Sequence, residues 1–251
     1  MLVAEAKGIE GCRVTAGTES KGNPLIGRDI GELAGIGALG VAVRDDPRAL
    51  FDACDVVLDF TVPAASIAHA TLAAQTGRAI VIGTTGLDAA QEKTVAEAAS
   101  RAAVVRAANT SLGVNLLLGL VEQAAERLGP DWDIEVLEMH HRHKVDAPSG
   151  TALALGEAAA AGRKVALAEV SQRVRDGHTG ARRAGDIGFA TLRGGDVAGE
   201  HSVIFATQGE RIELTHRAVS RQIFARGALR AALWAARQKP GLYTMKDVLG
   251  L

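Results

Sequence analysis

Three short apolar runs govern what this chain can fold into: Asp55-Val-Val-Leu-Asp-Phe60, Ala79-Ile-Val-Ile82 and residues 103–107. Uninterrupted runs of this length, without polar alternation, are what parallel strands covered on both faces require. Helix-forming sequence separates them. Thr61 and Pro63 open a helix that runs through Gln75 and closes at Gly77, and a second helix spans roughly residues 88–101. This repeated strand–turn–helix order predicts a doubly wound α/β domain, which takes its ligands at the carboxyl ends of its strands. Phe60-Thr61, Gly83-Thr-Thr-Gly86 and residues 107–110 lie at such ends.

The flanking sequence is less regular. Residues 1–7 read as a stub of helix, and Cys12-Arg-Val-Thr-Ala16 as a short strand leading into Gly17-Thr-Glu19. Residues 20–40 read as a long loop, residues 41–43 as a minor strand, and Asp46-Pro47 as the start of a short helix. After a helix over 114–128 the character changes. Residues 185–192, 200–206 and 210–216 predict longer strands, the last two joined as a hairpin at Gln208-Gly209. Ser220 caps a long helix over 222–237, and residues 241–251 are a tail. The second half is therefore expected to be α+β with a mixed or antiparallel sheet.

With 28 basic and 29 acidic residues, the chain offers no basic surface for nucleic acid. No apolar run approaches the ~20 residues of a membrane span, and no signal-peptide pattern opens the sequence. Cys12 and Cys54 stand apart and outside any Cys-x-x-Cys, as expected of reduced thiols in a cytoplasmic protein.

Chemistry concentrates in Glu135-Val-Leu-Glu-Met-His-His-Arg-His-Lys-Val-Asp-Ala-Pro-Ser-Gly-Thr151. A half-buried strand, alternating polar and apolar, runs into His140, His141, His143 and Lys144. Pro148 then breaks the regular structure, and Ser149 caps an alanine-rich helix beginning at Gly150. The N–H groups of a helix start beside cations form a site for a carboxylate or phosphate, and histidines exchange protons near neutral pH. The strip reads as an active site for a small anion. A metal site on His140 and His143 lacks a completing acid or Cys, so no metal is expected, and a solvated basic turn is the bland alternative. His178 and His201 read as structural or surface residues, and His69 as packing within its helix.

A dinucleotide fold should show Gly-x-Gly-x-x-Gly between its first strand and helix. The literal match, Gly35-Ile-Gly-Ala-Leu-Gly40, sits in a loop with no strand before it and is rejected. Glu19, at the end of the first visible strand, stands where a ribose-binding carboxylate would, or is a solvated strand-end acid. Too few residues precede it for a strand, a glycine loop and a full helix. The sequence therefore reads as a Rossmann-like domain without its first strand and phosphate-binding loop.

Residues 135–152 resemble the signature of the 4-hydroxy-tetrahydrodipicolinate reductase (dihydrodipicolinate reductase) family of bacterial diaminopimelate and lysine biosynthesis. The resemblance extends to Gly27-Arg-Asp-Ile-Gly-Glu-Leu-Ala-Gly35, Asp59-Phe-Thr61, Val81-Ile-Gly-Thr-Thr-Gly86, Ala107-Ala-Asn109, Gly113-Val-Asn115, Gly177-His-Thr-Gly180, Ile187-Gly-Phe-Ala190, Gly199-Glu-His201 and Ser220-Arg221. It implies a dinucleotide-binding domain over 1–110 and 222–251, and a substrate-binding and oligomerisation domain over 111–221, assembled as a homotetramer. The implied reaction uses NADH or NADPH: water leaves a cyclic hydroxy-imine dicarboxylate and hydride arrives at ring C4. His140 would be the acid/base and Lys144 a proton donor. His141 would contact substrate, and Ser149, Gly150 and Thr151 would hold a carboxylate at the helix start. Gly83, Thr84, Thr85, Ala107, Ala108 and Asn109 would line the nicotinamide side, with Thr110 at a place often aromatic and Glu19 at the adenosine ribose. Ser20-Lys21 replaces the Arg that many members carry for a 2′-phosphate, and a lysine meets it only as a point charge. The other function class left open is a non-catalytic remnant that binds a dicarboxylate or forms oligomers.

Overall fold

In the computed structural model, which describes residues 1–251, the three apolar runs become adjacent parallel strands. The chain opens with α1 (Leu2–Ala6), β1 (Gly17–Thr18), α2 (Ile30–Leu33), β2 (Val43–Arg44) and α3 (Pro47–Asp52). The regular alternation follows: β3 (Val56–Asp59), α4 (Pro63–Thr76), β4 (Ala79–Ile82), α5 (Ala89–Ala98) and β5 (Ala103–Arg106). Next come α6 (Leu112–Leu128), β6 (Asp133–His140), α7 (Gly150–Gly162), α8 (Leu167–Val170), β7 (Ser171–Gln172), β8 (Ile187–Arg193), β9 (Gly199–Thr207) and β10 (Glu210–Ala218). The chain closes with α9 (Gln222–Ala235), β11 (Gly241–Tyr243) and α10 (Met245–Leu249). It divides into one unit of Met1–Leu112 with Gln222–Leu251 and a second of Gly113–Arg221.

The first unit is built on a parallel sheet of order β11-β5-β4-β3. Successive residues of each strand point to opposite faces. Val57, Ile80, Ile82 and Val104 therefore pack with Phe51, Ala70, Ala73 and Val95 on one side. Val81, Ala103 and Val105 pack with Ala231, Ala235, Met245 and Val248 on the other. Covering both faces removes the polar alternation, and each fully buried Val or Ile contributes about 1.5–3 kcal/mol. The α5 start carries a capping box, with Asp88 and Gln91 each bonding the other's backbone.

Three expectations need correction here. Residues 12–16 join no ladder. Only Gly17–Thr18 pairs, in parallel with Val43–Arg44, because a strand exists only where a partner takes up its N–H and C=O groups. The loop over 20–40 contains a helix, α2, capped by Asp29, whose carboxylate accepts from the N–H groups of Gly31, Glu32, Leu39 and Val41 at 2.8–3.1 Å. The backbone bond from Leu39 leads the causes that hold this acid down at about 2. The tail supplies β11, which pairs with β5 at the sheet's edge, and α10.

The small β1–β2 sheet stays separate from the larger one, and β3 has a strand partner on one side only. A cavity of about 570 Å³ lies between residues 56–58 and 12–16, floored by Leu229 and Leu233 and lined by both cysteines.

The second unit is a mixed sheet of order β10-β9-β6-β8-β7. β6 is antiparallel to β9 but parallel to β8, so the strands after residue 185 do not form a simple antiparallel set. The α6 and α7 helices cover one face, packing Leu117, Val121, Leu155 and Ala159 against Ile134, Val136, Phe189, Val203 and Phe205. No helix in the chain is long and apolar enough to cross a membrane.

Candidate active site

The inward row of β6 carries the site. Its alternation places Ile134 and Val136 in the core and continues with Glu138 and His140, both buried. The Nδ1 of His140 lies 2.5 Å from Glu138 Oε2. The Glu138 carboxylate also accepts from the Ser149 N–H at 3.0 Å and from Arg193 at 2.8 and 3.0 Å. Burial alone would raise the pKa of Glu138, but Arg193, His140 and the Ser149 N–H outweigh it and hold the acid below its ordinary value. Arg193 is the β8 neighbour of His140 in the ladder, and its guanidinium also donates to the Asp146 carbonyl at 2.6 Å. The Asp146 carboxylate accepts from Lys144 Nζ at 2.7 Å.

His201 comes from β9, opposite Glu138 in register. Its ring meets His140 edge-on at 5.1 Å, and its Nε2 lies 3.1 Å from Ser149 Oγ. That hydroxyl accepts from the Ala152 N–H at 3.2 Å and caps α7. Burial first, then the charge of His140, pushes the pKa of His201 down to about 4, so it is neutral at pH 7. Of the two expectations for His201, structural or surface, its burial excludes the surface one.

The remaining strip residues follow in order. His141 is half-buried, its N–H on the Val197 carbonyl at 2.8 Å and its ring 6.4 Å from His143. Gly150 is exposed and Thr151 half-buried in the first turn of α7. His140, His141, Lys144, Ser149, Gly150 and Thr151 thus lie together between the end of β6 and the start of α7. No group of three or more metal-ligating side chains converges.

The first unit gathers a second set at the carboxyl ends of β3, β4 and β5. Thr84 is buried, and its hydroxyl accepts from the Thr61 N–H at 2.9 Å. The buried Asp59 accepts from Thr61 Oγ1 at 2.6 Å and faces His69 Nδ1 at 3.4 Å. A Cβ at position 83 would collide with the ring of Phe60, so Gly83 leaves bare backbone beside an exposed aromatic. Thr85 and Ala108 are exposed, Ala107 is buried, and the Asn109 side chain accepts from the Ser111 N–H at 2.9 Å. Thr110 is buried, and its hydroxyl donates to the Phe224 carbonyl at 2.7 Å, which ties this loop to α9. Glu19 is exposed at the end of β1, accepting from Asn23 Nδ2 at 3.0 Å, and Ser20 and Lys21 beside it are exposed. The Phe60 ring fills the space over Gly83, and the loops at the ends of these parallel strands are where a doubly wound sheet takes its ligand. The pyrophosphate has no assigned residues.

Comparison with known proteins matches residues 1–110 to the family model described as dihydrodipicolinate reductase, N-terminus, and residues 113–249 to its C-terminus counterpart. The chain belongs to the dihydrodipicolinate reductase family. It is 60% identical to the 4-hydroxy-tetrahydrodipicolinate reductase of Brucella melitensis biotype 1 over 251 residues, covering 100% of this chain and 94% of that protein. It is also 60% identical to the reductase of Chelativorans sp. (strain BNC1), covering 99% of this chain and 90% of the relative. The dipicolinate-bound dihydrodipicolinate reductase from Paenisporosarcina sp. TG-14 shares the fold, with a TM-score of 0.76 at 24% identity over 98% of this chain and 93% of that one. Reductases of this family draw hydride from NADH or NADPH.

Sequence reasoning missed Glu138, Arg193 and Asp146 as parts of the site. For Glu138 a signal was available: two positions before His140 on a strand, it must share that residue's face. Arg193 had none, because only the ladder places it.

Proposed function

We propose that the strip from Glu138 to Thr151 binds and protonates the cyclic dicarboxylate whose reduction this family catalyses. The chain is an oxidoreductase that converts 4-hydroxy-2,3,4,5-tetrahydrodipicolinate to 2,3,4,5-tetrahydrodipicolinate with loss of water, in lysine and diaminopimelate biosynthesis. Full-chain matches at 60% identity favour the enzyme over a non-catalytic remnant. The observation that carries the site reading is the placement of His140 and Lys144 between the end of β6 and the first turn of α7. A dianion is stabilised there by the helix start and nearby cations.

In this reading the N–H groups of Gly150 and Thr151 hold one carboxylate, and His141 contacts the ring's other polar edge. When bound, NADH or NADPH supplies the hydride that arrives at ring C4. Hydride addition to a conjugated imine moves charge onto the ring nitrogen, and His140 quenches it by giving a proton from Nε2. Lys144, held by Asp146, gives a proton to the departing hydroxyl, which leaves as water while a ring C–H proton is lost to solvent. Each turnover therefore consumes one hydride and, net, one proton. His201 stays neutral and shapes the wall. Gly83, Thr84, Ala107 and Asn109 would line the nicotinamide, with Thr85 and Ala108 at its rim and Glu19 at the ribose. The first unit is then the dinucleotide-binding domain, and the second binds substrate and forms the oligomer.

Titration with pyridine-2,6-dicarboxylate, followed by calorimetry, checks the substrate half. Saturable binding to the native chain that is lost with Thr151→Pro, while the fold is kept, is the expected result. Unchanged affinity in that variant removes the helix start from the site.

Cofactor choice rests on Lys21, exposed beside Glu19. Lys21→Ala is expected to raise KM for NADPH several-fold and leave KM for NADH unchanged. Equal shifts for both take Lys21 away from the 2′-phosphate. A homotetramer is supported by the outer face of the second sheet, where Leu137, Met139 and the exposed Ala190 and Leu192 lie in register on β6 and β8. Light scattering of the chain and of Leu192→Glu tests it: a tetramer that dissociates on substitution is expected. Free Cys12 and Cys54 suit the reducing cytoplasm.

A further inference from the structure

Glu138 is buried to within 1% of full coverage, and its carboxylate accepts hydrogen bonds from a ring, a helix start and a guanidinium at once. We propose that Glu138 is the positioning residue of the acid/base: it fixes the proton of neutral His140 on Nδ1 and leaves Nε2 as the nitrogen that exchanges protons with substrate. This rests on the assignment of His140 given above.

The chemistry of the partners dictates the tautomer. Arg193 grips both carboxylate oxygens at 2.8 and 3.0 Å and keeps Glu138 ionised whether or not His140 is charged. An ionised carboxylate only accepts, so the ring nitrogen 2.5 Å away must carry a hydrogen. The other nitrogen, Nε2, makes no hydrogen bond in the protein and is not sealed from solvent. The residue facing it is Gly199, where an added Cβ would stand 3.0 Å from Nε2. Orientation of a working imidazole by an acid on its far nitrogen is a general device.

A buried acid that served packing alone would be satisfied by the Arg193 fork. Glu138 does more. Through the Ser149 N–H it joins the start of α7, and through Arg193 it reaches the Asp146 carbonyl, next to the carboxylate that holds Lys144. One side chain thus sets the ring of His140 and ties it to both other parts of the site.

The test is the tautomer. Selective ¹⁵N labelling of histidine, with His140→Gln to assign the resonance, reads which nitrogen bears hydrogen above the ring's titration. The native chain is expected to show Nδ1–H. In Glu138→Gln the Oε1 end meets donors from both Ser149 and Arg193, and the Oε2 end only that of Arg193. The NH₂ is therefore better placed at the Oε2 end against His140 Nδ1, and the proton is expected to move to Nε2. Turnover of that variant is expected to fall by about 10–100-fold, with KM and affinity for pyridine-2,6-dicarboxylate within about twofold. A native His140 carrying its hydrogen on Nε2 overturns the proposal even if the variant does not fold. So does a folded variant that keeps the native tautomer, or one that loses thermal stability and ligand affinity while kcat stays as it was. If His140→Gln turns over like the parent, the acid/base assignment fails while the tautomer result stands, so the two are separable.

Discussion

His140→Gln is expected to lower kcat by about 10²–10⁴-fold, the usual contribution of a positioned acid or base. Glutamine keeps a polar group of similar length but cannot carry a proton to the substrate. The fold should survive, because His140 lies at the end of β6, beyond the apolar row of Ile134 and Val136 that secures the sheet. KM and affinity for pyridine-2,6-dicarboxylate should change little, since the start of α7 holds one carboxylate and His141 contacts the ring's other polar edge. A loss in kcat and kcat/KM together identifies an interaction made in the transition state. Lys144→Ala should follow the same pattern with a smaller loss. If both variants match the parent in stopped-flow oxidation of NADH or NADPH, proton handling belongs to other groups.

Acid should destabilise the second unit through His201. Its pKa is about 4 in the fold against the ordinary 6.5, because burial and then the charge of His140 disfavour its cation. Between those values the unfolded chain binds a proton that the folded chain refuses. The stabilisation is complete above pH 6.5 and is lost as pH falls towards 4, below which both forms are protonated. The shift corresponds to about 3 kcal/mol over that window. Denaturant unfolding followed through Trp132, with Trp234→Phe to remove the other indole, would read it. His201→Gln should be less stable than the parent at pH 8 and less sensitive to pH between 6.5 and 4. Parallel pH profiles for the two proteins would show that His201 titrates normally.

These two effects were unequally visible in the sequence. The histidine strip is local, and its residues are close in space because they are close in the chain. The role of His201 depends on register: it stands opposite Glu138, and Arg193 stands beside His140, only once β6 has paired with β9 and β8. The same division holds for the fold. The β3, β4 and β5 strands were legible because burial on both faces leaves an apolar run. The three-residue β11 was not, because Gly241-Leu-Tyr243 becomes a strand only by pairing with residues 103–105. Residues 12–16 err in the other direction, with strand-forming composition but no ladder partner.

The cavity between residues 12–16 and the free side of β3 makes the first unit unevenly secure. Amides paired on both sides, such as those of Ile80 and Val81, open only when the whole unit does, whereas backbone facing this cavity opens on its own. Hydrogen exchange should therefore be fast over residues 7–16 and slow over 79–82, and thiol reagents should reach Cys12 and Cys54 without global unfolding. This seam is where heat, proteases and oxidants would enter first. Any ligand or polypeptide segment that closed it would raise the stability of the whole first unit by linkage, without touching the proton-handling strip.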